Sequence, residues 1–130
     1  MANTITSQTI LDDSRNVVIK WHVAADGTGE ESNTAVIDAS ALTPVPTQMK
    51  VMLMEASLVG CTAVLEFDAT TDQPIMALPE GENVFDFRDF GGIPDPLATG
   101  TTGDITVTTV GLGANDSITL VMRCQKKELA

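Results

Sequence analysis

Apolar and polar side chains alternate along almost the whole chain, and this period of two is what most narrows the folds open to it. In Asn16 to Val23, Val17, Ile19, Trp21 and Val23 fall on one side, while Asn16, Lys20 and His22 fall on the other. A pleated strand points successive side chains to opposite faces, so a stretch like this has one face for a core and one for solvent. Thr62 to Ala69 repeats the pattern, with Ala63, Leu65 and Phe67 inward and Glu66 and Asp68 outward. So does Ser117 to Gln125, where Ile118, Leu120, Met122 and Cys124 oppose Ser117, Thr119, Arg123 and Gln125. Shorter strands are expected over Thr34 to Asp38, Pro74 to Leu78, Asn83 to Phe87 and Asp104 to Val110. Lys50 to Val59 reads either as a Met-rich helical turn or as a strand. The strand is preferred, because it would run to a break at Gly60 beside an alternating neighbour.

Turn chemistry separates these segments. Asp26 to Asn33 holds two glycines and reads as a loop, Pro44 and Pro46 mark extended chain, and Pro79-Glu80-Gly81 marks a turn. Asp89 to Gly103, with four glycines and two prolines, is expected to be a long irregular loop of the kind that carries outside contacts. Gly111 to Asp116 is expected to close a hairpin between the last two strands. Eight or nine short strands at this spacing describe an all-β, single-domain β-sandwich, jelly-roll-like in form. Residues 1–14 are expected to be an extended N-terminal arm, 15–126 the sandwich and 127–130 a C-terminal tail. The 130 residues suffice for one domain with its own core.

Composition narrows the function. Aromatic residues are 4% of the chain, with one Trp and no Tyr, so the core is aliphatic and base-stacking platforms are scarce. The formal charge is −11. The adjacent basic pair is Lys126-Lys127, whereas eight acids between Glu66 and Asp95 face the single cation Arg88. Such a surface repels phosphate backbones and anionic membranes, so neither nucleic acid nor membrane is an expected partner. The plainer meaning of the acid excess is a solvated face. The first eight residues lack a charged-then-apolar leader and no apolar run reaches about 20 residues, so synthesis in the cytoplasm without a membrane span is expected.

The residues that carry chemistry are few. His22, the one histidine, lies on the outward side of its strand, away from any nucleophile the sequence places beside it, and one histidine cannot supply a zinc site. Asp12-Asp13, Glu30-Glu31 and the acids from Glu66 to Asp95 fit no calcium-loop spacing. Asp89-Phe90-Gly91 and Gly27-Thr28-Gly29 are fragments of kinase and phosphate-loop motifs without their companions. No catalytic residue, cofactor or metal ligand is therefore assigned, and the protein is expected not to be an enzyme. Cys61 and Cys124 fall on apolar strand faces, which in a reducing compartment favours two buried free thiols; a disulfide stays open if their strands are neighbours or face each other across the core.

Three strings carry a resemblance. Leu11-Asp12-Asp13-Ser14-Arg15-Asn16-Val17-Val18-Ile19-Lys20-Trp21, Phe67-Asp68-Ala69-Thr70-Thr71 and Phe87-Arg88-Asp89-Phe90-Gly91-Gly92 occur in order across most of the chain. Together they resemble a family of small virion structural proteins of tailed bacteriophages, in which glycine is expected where Asp13 stands. The resemblance implies a bacteriophage virion protein made in the host bacterial cytoplasm. Its charge suits the outer capsid surface better than a DNA-filled interior, so it fits a capsid decoration, or cement, protein. The partners implied are the major capsid protein and copies of itself, as a homotrimer. The arm and long loop would supply the subunit contacts, with Ile5, Ile10, Leu11, Arg15, Phe90, Ile93 and Leu97 as candidates. A tail or neck ring component is the alternative within the virion. A carbohydrate-binding module is more distant, since Trp21 is expected inward and few aromatics remain to stack on a sugar.

Overall fold

A computed structural model describes residues 3–27, 29–96 and 98–129, with side chains as far as Lys126. Ten strands are present among these residues: β1 (Thr4–Asp12), β2 (Asn16–Ala24), β3 (Thr34–Ile37), β4 (Pro46–Val59), β5 (Thr62–Phe67), β6 (Gln73–Leu78), β7 (Gly81–Asp86), β8 (Ile93–Pro94), β9 (Ile105–Val110) and β10 (Ser117–Leu129). The helical content described is two single turns of 3-10 helix, Ala39–Ala41 and Arg88–Phe90. Lys50 to Val59 is strand, inside the 14-residue β4.

The strands form two antiparallel sheets. One runs β1-β2-β10-β4-β7, with β8 also on β4; the other runs β3-β9-β5-β6. Setting aside β1 and β8, the orders β2-β10-β4-β7 and β3-β9-β5-β6 are those of a jelly roll built from two Greek keys. The sheet register explains why the alternation reads so clearly. Row by row, Val23, Ile118 and Leu58 align, then Trp21, Leu120 and Ala56, then Ile19, Met122 and Met54. All nine are buried, and the opposing sheet contributes Leu65, Phe67, Leu78, Ile105 and Val107. Each row thus mixes large and small apolar side chains, as Trp21, Leu120 and Ala56 do, and the layer fills.

Three expectations are corrected. Gly111 to Asp116 does not close a hairpin, because β9 belongs to one sheet and β10 to the other. The segment instead carries the chain across the sandwich, with Leu112 buried in the core and Glu30 accepting hydrogen bonds from the Gly111 and Leu112 amides and from Thr109 Oγ1. Residues 127–129 are not a tail: β10 continues through them, pairing Glu128 with Gln48 and Leu129 with Pro46. Finally, residues 4–12 are extended but not a free arm. They pair with β2 of the same chain from Thr4 opposite Ala24 to Asp12 opposite Val17.

Gly60 earns its place in the β4–β5 turn. Its φ is +78°, and a Cβ there would overlap the Asp116 carboxylate that caps the Gly113 amide.

Candidate interaction surface

The edge strand β1 is the unusual element. Its side chains are exposed from Thr4 to Leu11, on both faces, and among the described residues β2 is its one paired neighbour. The face that continues the inner layer (Ile5, Ser7 and Thr9, opposite Val23, Trp21 and Ile19) overhangs the core instead of joining it. Ile5 is 40% exposed, Ile10 54% and Leu11 42%. Ile10 sits where the register slips between Thr9 and Leu11, a bulge that turns Leu11 to the face it shares with Val18.

With so little burial along its length, β1 is fixed at its two ends. Asn3 Nδ2 donates to Glu31 Oε2 at 2.7 Å and to the Gly29 carbonyl at 3.2 Å, and the Asp26 amide donates to Asn3 Oδ1. At the other end Lys126 Nζ meets Asp12 Oδ1 at 2.6 Å, with the Lys126 side chain fully buried, and the Thr43 amide donates to Asp12 Oδ2. Partial burial pushes the Asp12 carboxyl up, but these hydrogen bonds and the lysine charge outweigh it and hold the group below the usual carboxylate range. Lys126 is thus no surface cation. The period of two could have revealed it: it follows Ile118, Leu120, Met122 and Cys124 at the next inward position.

The turn leaving β1 explains the departure at Asp13. Its carboxylate accepts from the Arg15 and Asn16 amides at 2.9 and 2.6 Å, and its own amide donates to the Asn16 carbonyl. The side chain closes the turn without a left-handed backbone, so glycine is not required here.

The loop from Asp89 to Gly103 is stitched down. Ile93 pairs with Val51 in β8, the Asp95 amide donates to the Met49 carbonyl, and Thr70 and Thr102 amides join the loop to the Asp68–Thr71 turn. Thr102 Oγ1 also donates to Asp68 Oδ2. At the loop's start Phe90 is 69% exposed and packs its ring against Phe87, which in turn stacks near Phe85. Arg88 is occupied by a two-point pairing with Asp86, whose carboxyl is drawn down to about 2.

The seven candidate contact residues therefore separate. Ile5, Ile10 and Leu11 share β1, Arg15 is exposed in the adjoining turn, and Phe90 is an exposed knob on a different loop. Ile93 is half-buried, packed against its own core beside Val51. Leu97 lies outside the described residues.

Other chemistry is sparse. His22 is half-buried on the outer sheet face, with Nδ1 2.8 Å from Thr119 Oγ1. Cys61 and Cys124 are free and buried; burial pushes the Cys124 thiol up to about 12, and burial with nearby Asp116, Glu30 and Glu80 raises Cys61. Among the described residues, no three His, Cys, Asp or Glu side chains form a metal-holding group. Two shallow depressions on the larger sheet, one of about 120 Å³ over Glu55, Ser57, Glu82 and Thr119 and one of about 110 Å³ over Thr6, Gln8, Lys20 and His22, fall well short of ordinary ligand pockets.

No family model matches the chain, and no curated protein matches it. Among solved structures, a cupin superfamily protein from Desulfitobacterium hafniense DCB-2 is similar over 97% of this chain and 80% of that one, at 15% identity and a TM-score of 0.34. The class defined by strand order is a jelly-roll β-sandwich, with an added edge strand as its most exposed regular element.

Proposed function

We propose that this protein is a structural component of a tailed-phage particle, bound to the outside of the head and bridging major capsid subunits as a decoration protein. The observation that carries the reading is a filled sandwich that presents its contact groups outward: the exposed β1 strand and the Phe90 knob. A folded jelly roll serves as a rigid spacer, and the groups on its rim can meet several neighbours whose modest contacts are multiplied by shell symmetry. The resemblance strings support the same reading, since the first builds the β1–β2 turn and the third builds the Phe90 loop. The charge of −11 favours the outer face of a shell over its DNA-filled interior. On this reading the protein works by binding, not catalysis, and is made in the host bacterial cytoplasm before assembly.

The test is a reconstruction of the particle that carries the gene, with and without the protein. Density for the sandwich on the outer capsid surface, lost in the deletion, is the expected result. Density in the tail or neck would replace the decoration role with that of a ring component, and absence from the particle would overturn the proposal.

A further inference from the structure

The outer strands of the two sheets are not equivalent, and β8 is only two residues long. β7 carries Glu82 and Asp86 on its six residues, β6 carries Pro74, and β3 is four residues long. Charge, proline and brevity are the usual means by which an open sheet edge is kept from pairing with another chain. β1 is nine residues long, about 30 Å, and over Thr4 to Leu11 it contains no ionisable side chain and no proline. Its one irregularity is the bulge at Ile10, close to one end.

Charge selects the occupant. Two copies of a chain of charge −11 repel one another over most approaches. The β1 edge is a long uncharged strip, and the acid that ends it is already matched by Lys126. We propose that this edge is a self-association surface, on which β1 of a second copy pairs antiparallel across a two-fold axis to join the two larger sheets into one. With the axis at Ser7, Thr6 faces Gln8 of the second copy and Ile5 faces Thr9, so β-branched side chains pair and no like charges meet. The end fastenings fit this use. Asn3 and Asp12 with buried Lys126 hold rigid a strand that adds almost nothing to the core, so little order remains to be imposed on pairing.

This inference does not depend on the virion reading, and it sets a two-fold pair in place of the homotrimer that the resemblance implies; its test uses the isolated full-length chain. Sedimentation equilibrium should show a concentration-dependent species of twice the chain mass. Ser7 is exposed, so Ser7→Lys and Ser7→Glu should each keep the wild-type circular dichroism spectrum while weakening association about tenfold or more, because like charges then sit opposite each other. Mixing the two variants should restore the dimer as a heterodimer, a result that loss of folding could not imitate. A chain that stays monomeric, a species of three times the chain mass, or a dimer indifferent to both substitutions would overturn the proposal.

Discussion

At the scale of single residues, Trp21 is the largest fully buried side chain. It is buried beside Leu120 and Ala56, yet its Nε1 finds no protein acceptor among the described residues. Trp21→Ala should cost about 3–5 kcal/mol, the usual loss for truncating a buried large side chain. Trp21→Phe should cost clearly less, because the smaller cavity comes with removal of an orphaned donor. Thermal melts of the two variants check the order; equal losses would contradict it. The thiols make a second residue-scale prediction. Burial disfavours both thiolates, so Cys61 and Cys124 should resist alkylation in the native protein and both react after denaturation. Mass spectrometry after native labelling reads this directly, and a labelled native chain would count against it.

At the scale of elements, β1 is held by its ends, so its stability should be separable from that of the sandwich. Lys126→Met keeps the buried methylenes but leaves Asp12 without its cation. The loss should be roughly 1–3 kcal/mol, as for a hydrogen bond to a charged group. Hydrogen exchange should rise first in β1 while β2, β4 and β10 stay protected; uniform loss across the sheet would show that the strand is integral to the core. Acid acts on the Asp12 fastening and on three carboxylates elsewhere. The carboxyls of Asp12, Asp13 and Glu30 are held below their ordinary values by hydrogen bonds, and that of Asp86 lies at about 2. The unfolded chain therefore binds more protons, and this contribution is present above about pH 4.5 and is lost as pH falls toward 2. Asp104 runs the other way: burial, then Asp38 and Asp68, raise it, and the stability from its bound proton disappears as pH rises through its folded value. Four lowered groups against one raised predict a melting temperature that drops on acidification below pH 4.5. A melting temperature that climbs steadily down to pH 2 would contradict the balance.

At the scale of the whole molecule, charge governs how copies meet. If the neutral β1 edges pair, the remaining negative surfaces are brought closer and repel through solvent. Salt shortens the reach of that repulsion to about 8 Å at physiological ionic strength. Self-association should therefore tighten as sodium chloride is raised from low concentration, the reverse of an assembly drawn together by opposite charges. Sedimentation at two ionic strengths tests this, and weakening with salt would point to ion pairs across the interface.

The period of two was enough to reveal the strands other than β1 and β8, the inward faces of β2, β5 and β10, and the burial of both cysteines, because side-chain parity in a strand is a local property of the backbone. Parity could also have placed Lys126 inward, but the sequence reading took it as part of a basic pair, because a charged residue there reads as surface until its partner is known. Tertiary structure alone decided what lies beside what. Gly111 to Asp116 has the composition of a hairpin turn, but the two strands it joins gain more by completing different sheets. The polar sequence of residues 4–12 is compatible with a free arm or an edge strand. Docking follows from the open side of β2 and from Asp12 and Asn3 finding Lys126 and Glu31, partners 114 and 28 residues away. Contacts at such separations leave no trace in local spacing, and so residues 4–12 could be named as contact candidates from the sequence, but their place as a fastened edge strand came only with the fold.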